Sequence, residues 1–128
     1  MNEFSITAQS IDEIRVFAVN GYFGWDSGKQ LQTLVDKDLG QGIKHFIFEL
    51  SNCQMISSPG IVSILNVITK VRDEFHGNIV LAQLDQVLAT VMKVSGVMNL
   101  ATASNSLAEA VELIRNSSQN LPPEANAS

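Results

Sequence analysis

The chain has 128 residues, a formal net charge of −5 and a pI near 4.8. Its length fits one ordinary domain. Its charge speaks against nucleic acid as a partner, because a phosphate backbone calls for a concentrated Lys/Arg surface and the eight Lys and Arg residues here are scattered. The hydrophobic share of 45% is normal for a packed core. No apolar run reaches the roughly 20 residues that span a bilayer. The start Met-Asn-Glu-Phe-Ser lacks the basic and apolar stretches of a secretion signal, so a cytoplasmic protein with no membrane role is expected. The single cysteine, Cys53, rules out an internal disulfide and a multi-thiolate zinc site; it reads as a small core residue.

Phe4, Ile6 and Ala8 alternate with polar residues, and Ile14, Val16 and Ala18 alternate with Arg15, Phe17 and Val19. Two strands joined by a turn over Ser10–Glu13 are predicted, a hairpin ending at Asn20-Gly21. Gly21–Gly28 reads as a loop with exposed aromatics, and Asp26 or Ser27 as the cap of the helix carrying Leu31, Leu34, Val35 and Leu39. Gly40-Gln41-Gly42 stops that helix. His45–Leu50 has the composition of a buried central strand, followed by a loop through Asn52 and Gln54. Ile61, Ile64, Leu65, Ile68 and Val71 recur at helical spacing as far as Phe75, and Gly77 ends that helix. Asn78–Ala82 is a second buried strand. Asp85 starts a third helix with Val87, Leu88, Val91 and Met92 expected inward, and Gly96 stands where a left-handed cap belongs. Met98–Ala103 reads as an edge strand. Ser106 and Glu109 form a capping box for a last helix burying Leu107, Ala110, Val111 and Ile114. Asn116–Ser128, with two prolines and little apolar content, reads as a disordered tail. The expected architecture is α/β: a mixed central β-sheet, built from an N-terminal hairpin and then βα units, with about four helices packed over it in a single domain, residues 1–115.

Neither common phosphate-cradling glycine loop is present. His45 and His76 lie at element edges without acids or cysteines grouped around them, and no nucleophile has a base at a readable spacing. No cofactor, no metal and no enzymatic activity are expected. The informative stretch is Met55-Ile56-Ser57-Ser58-Pro59-Gly60-Ile61. Ser58 is placed to cap the following helix, Pro59 falls in the first turn, and Gly60 allows close backbone approach. Those residues also suit helix initiation and nothing more. A hydroxyl at a helix N-terminus, however, lies beside free N–H groups and the positive end of the dipole. A phosphate there is tolerated locally, yet it adds close to two negative charges to an apolar patch and blocks any partner that buries it.

His45–Ser51, Met55–Leu65 and the helix-to-turn stretch Val87–Val97, in this order of elements, resemble the bacterial anti-sigma factor antagonists of the STAS superfamily, over Phe4 to Arg115. In that resemblance Ser58 matches the phosphorylated serine, Ser57 stands where an aspartate is usual, Pro59 replaces a second Ser or Thr, and Gly60 matches the motif glycine. Gly24-Trp25-Asp26 falls near an acidic segment of the family's interface, poorly matched here. The resemblance implies a STAS-like fold and a partner-switching role. The chain would bind an anti-sigma factor that is also a GHKL-type serine kinase through Gly24, Trp25, Asp26, Ile56, Ser57, Ser58, Pro59, Gly60 and Ile61. It would be released by phosphorylation of Ser58, with Ser57 the alternative acceptor, and reset by a serine phosphatase. A monomer or weak dimer is expected. Rival expectations are a STAS module serving a non-sigma partner, a constitutive scaffold, and a sensor of nucleotides or other small ligands.

Overall fold

A computed structural model describes residues 3–119. Strands β1 (Phe4–Ile11) and β2 (Ile14–Phe23) form an antiparallel hairpin, followed by α1 (Trp25–Gly40), β3 (His45–Glu49), β4 (Cys53–Ile56) and α2 (Ser58–Thr69), which runs on through a π-turn, Lys70–Glu74. Then come β5 (Asn78–Ala82), α3 (Gln86–Val94), a short 3-10 turn (Val97–Asn99), β6 (Thr102–Ser104) and α4 (Leu107–Gln119). The sheet is mixed, in the order β1-β2-β3-β5-β6, with every pair parallel except the hairpin. It is the expected α/β architecture.

Both faces of the central strands are covered, because β2 alternates two apolar sets. Phe17 and Val19 join Phe46, Phe48 and Leu81 beneath α1, α2 and α3, while Ile14, Val16, Ile47 and Val80 pack against Ala110, Val111 and Ile114 of α4. Phe17 and Phe46 stack with ring centroids 6.2 Å apart. Arg15, on the α1 side, bonds Asp38 through Nε at 2.8 Å, so this nearly buried carboxylate has its partner.

Several local expectations are corrected. The β1–β2 ladder ends at Asn20-Gly21 as expected, but β2 does not stop there. β2 continues to the fully buried Phe23 because Cys53–Ile56, in the region expected to be a loop through Asn52 and Gln54, forms β4 and pairs in parallel with Gly21–Phe23. β3 and β4 thus lie end to end along β2. Val87 points outward and is 71% exposed, while Leu88 and Met92 are buried. Met98–Ala103 is not one strand: the 3-10 turn occupies its start and only Thr102–Ser104 joins the sheet. The last helix does not stop at Arg115. It continues to Gln119, past the start of the expected tail, where the Ser117 hydroxyl reaches Asn78 Oδ1 at 3.3 Å; the rest of the expected tail, 120–128, lies outside the described residues. The caps at Asp85, Gly96 and Ser106 form as expected, but the Ser106–Glu109 box is only half made: the Ser106 Oγ accepts the Glu109 N–H, while the Glu109 carboxylate accepts the N–H of Asn105, one residue before the cap.

The Ser117–Asn78 contact continues to His45, whose Nδ1 lies 3.1 Å from Asn78 Nδ2. An amide donor there needs an unprotonated Nδ1. Burial, and then the neighbouring Lys44, lower the His45 pKa from its ordinary value, outweighing Glu13. The unfolded chain therefore binds the proton more readily. Stability from this site is complete above about pH 6.5 and falls as pH drops from there toward the folded-state pKa. His45→Gln is expected to remove that component, seen as a flatter dependence of denaturation midpoint on pH between about 5 and 7.

Candidate functional site

Two chain segments meet where β2 ends and α2 begins. The Phe23 carbonyl accepts the Ser57 N–H at 2.9 Å, tying the end of β4 to the end of β2. Gly60 is buried in the same crossing. A β-carbon on it would fall 2.8 Å from Phe23 Cδ1 and closer still to the Phe23 carbonyl oxygen, so only glycine lets α2 approach β2 this closely.

The two helix starts differ from the expected pattern. α1 is capped by Gly24, not by Asp26 or Ser27, because β2 runs on to Phe23 and leaves a single residue between strand and helix. Ser27 lies inside the first turn, where its Oγ accepts the Gly24 N–H at 2.7 Å and donates to the Tyr22 carbonyl at 2.9 Å. α2 is capped by Ser57, whose Oγ accepts the Gly60 N–H at 3.5 Å, and not by Ser58. The phase is fixed by β4: its pairing with β2 holds Ile56 and leaves Ser57 as the last extended residue. Ser57→Ala is expected to cost about 1 kcal/mol, measured as a loss of stability in urea titration.

Ser58 is therefore the first helical residue, exposed, and its hydroxyl has no hydrogen-bond partner among the described residues. Ser57 is half-buried and engaged in capping. A shallow groove of about 210 Å³ opens beside them, lined by Phe4, Tyr22, Trp25, Asp26, Ser57 and Pro59. Of the expected segments, Trp25 and Asp26 thus share one surface with Ser57 and Pro59, while Gly24 is buried. Ile56 and Ile61 instead turn partly inward against the core. The sequence reading missed Phe4 and Tyr22 in the groove. It also missed two exposed apolar side chains on the elements that flank Ser58: Met55, 58% exposed, and Val62, 55% exposed. Trp25 is 61% exposed, with Lys29 Nζ 4.5 Å from its ring centroid.

Cys53 is buried in the core, and burial pushes its thiol up to about 11, too high for a thiolate near neutrality. Among the described residues, no three His, Cys, Asp or Glu side chains are grouped to hold a metal, and no helix is long and apolar enough to cross a membrane.

The family model described as the STAS domain matches residues 5–110. None of the curated protein sequences compared matches the chain. A solved structure of a putative anti-sigma factor antagonist from Thermotoga maritima is similar at a TM-score of 0.79 and 16% identity, covering 86% of this chain and 94% of that one. The anti-sigma factor antagonist SpoIIAA in its unphosphorylated form gives 0.76 and 14%, with 88% and 97% covered. The Bacillus cell fate determinant SpoIIAA in its phosphorylated form gives 0.64 and 15%, with 88% and 99% covered. At these identities the likeness is one of fold.

Proposed function

The chain belongs to the STAS domain family, and from that premise we propose that it is a partner-switching regulator, an anti-sigma factor antagonist controlled by phosphorylation of Ser58. The observation that carries the reading is an exposed hydroxyl at the N-terminus of α2, without a hydrogen-bond partner among the described residues and next to the groove lined by Trp25, Ser57 and Pro59. The partner is an anti-sigma factor that is also a serine kinase. Unphosphorylated chain sequesters it; phosphorylated chain releases it; a serine phosphatase restores the first state. The chain supplies no catalytic group and serves as the kinase's substrate. That one fold neighbour is described in both unphosphorylated and phosphorylated forms supports this reading.

Ser58 is favoured over Ser57 for a physical reason. A kinase needs a hydroxyl it can align with a phosphoryl donor, and Ser58 is free and exposed while Ser57 is held in the cap. Once added, the phosphate sits at the positive end of the α2 dipole and leaves the fold intact, so the modification acts on binding alone. The test is peptide mass spectrometry of the chain isolated from its own host, with and without phosphatase treatment. A phosphatase-sensitive gain of one phosphoryl group on the peptide bearing Ser58 is expected. Phosphate only on Ser57, or none under several growth conditions, overturns the assignment. Affinity capture from the same host identifies the partner and separates a sigma pathway from any other.

A further inference from the structure

The sheet has two edges, and they are guarded differently. β6 has three residues, too short to template another strand. β1 has eight, Phe-Ser-Ile-Thr-Ala-Gln-Ser-Ile, with no charge, no proline and regular pairing throughout its length to β2. None of the usual devices that blunt an edge strand is present in it. Among the described residues no strand pairs with its outer side.

The phase of the hairpin fixes which backbone groups face outward. The Glu3 carbonyl accepts the Tyr22 N–H at 2.9 Å, and the hairpin closes on Ile11 and Ile14, so odd-numbered residues of β1 spend their backbone groups on β2. The N–H and C=O of Phe4, Ile6, Ala8 and Ser10 therefore point away from the sheet. A second, antiparallel β1 satisfies all of them in one register, Phe4 opposite Ser10 and Ile6 opposite Ala8, with up to about eight hydrogen bonds.

The side chains agree with that register. Its two-fold axis passes between the two copies of Thr7. On the face that bears Thr7, Ser5 meets Gln9 and Thr7 meets itself, all uncharged hydrogen-bonding groups and exposed in the single chain. On the α1 face, Ile6 meets Ala8 and Phe4 meets Ser10, and the small exposed Ala8 and Ser10 leave room beside the edge. No like charges oppose one another within the strand, as a self-complementary isologous contact requires.

We propose that β1 is a homodimerisation edge, through which two copies join their sheets by antiparallel β1–β1 pairing centred on Thr7. A strand pair alone covers less than the ~800 Å² per partner of a stable interface, so the dimer is weak and reversible. The edge meets the groove beside Ser57 only through Phe4 and does not involve Ser58, so the inference stands whether or not Ser58 is phosphorylated.

Sedimentation of the full chain over a concentration series, with cysteine cross-linking, tests it. The weight-average mass is expected to rise toward twice the monomer, and Thr7→Lys, which sets two ammonium groups face to face, to weaken the dimer at least tenfold. Ala8→Pro, which deletes an outward N–H and spares the hairpin ladder, is the second variant and acts in the same direction. Thr7→Cys oxidised with copper–phenanthroline is expected to give a disulfide-linked dimer, whereas Thr33→Cys, exposed on α1, is not; Cys53 is buried and does not contribute. A chain that stays monomeric at several hundred micromolar, a dimer that survives both edge variants, or cross-linking as fast at Thr33→Cys as at Thr7→Cys overturns the proposal.

Discussion

Ser58→Asp is expected to weaken partner binding at least about 100-fold while leaving the fold as stable as before or slightly more so. The two effects have opposite signs because one charge meets two environments. In the free protein a carboxylate in the first turn of α2 faces the positive end of the helix dipole, worth about 0.3–1 kcal/mol in its favour. In a complex, the same charge beside the groove lined by Trp25, Ser57 and Pro59 has to be desolvated against a partner built for a neutral hydroxyl, a penalty of about 3 kcal/mol or more. Ser58→Ala is expected to keep full affinity and lose control, since the hydroxyl has no partner among the described residues and its removal costs nothing. Calorimetric titration of the captured partner, beside urea melts of each variant, reads both quantities. Equal affinity for the Asp and Ala variants would sink the switching mechanism. Lost affinity accompanied by lost stability would reassign Ser58 to a structural role.

Gly60→Ala is expected to be the most damaging single methyl at the site, at about 3 kcal/mol or roughly 10 °C in Tm. The added carbon meets the backbone of Phe23 and the edge of its ring, and neither can swing away: the ring is fully buried and the carbonyl is held by the Ser57 N–H at 2.9 Å. Relief comes only by lifting the start of α2 off β2, which displaces Ser57 and Ser58 together, so partner affinity falls with stability. Gly40→Ala is the control. A β-carbon there meets nothing within 4 Å, and the position is exposed at the end of α1 without a positive φ. Its expected effect is a small gain, about 0.5 kcal/mol, from the stiffer unfolded chain. If thermal melts of the two variants shift alike, close packing at Gly60 is not what that glycine provides.

The alternation in β2, the apolar runs of β3 and β5, the helical spacings of α1 and α2 and the caps at Asp85, Gly96 and Ser106 are local patterns. They specified the α/β architecture because each depends on residues within one or two turns of chain. The resemblance to the STAS superfamily was likewise readable from contiguous stretches such as Met55–Leu65, and the STAS domain match over residues 5–110 bears out the family.

What local pattern could not supply is the pairing of Cys53–Ile56 with Gly21–Phe23. Those segments are some 30 residues apart, and four residues with two exposed among them carry too little periodicity to announce a strand. Yet this pairing sets everything at the site: it prolongs β2 to Phe23, moves the α1 cap to Gly24, and gives the α2 cap to Ser57, leaving the Ser58 hydroxyl free. The exposure of Trp25, Met55 and Val62 is a second such decision, since an apolar side chain is buried or not according to what other elements cover it. The sequence by itself determined the α/β class, the hairpin, β3, β5 and the four helices, and it singled out the stretch Met55–Ile61 that bears the two serines. Only the tertiary structure decided which of two adjacent serines closes the helix and which faces solvent, because that choice rests on hydrogen bonds between strands distant in the chain.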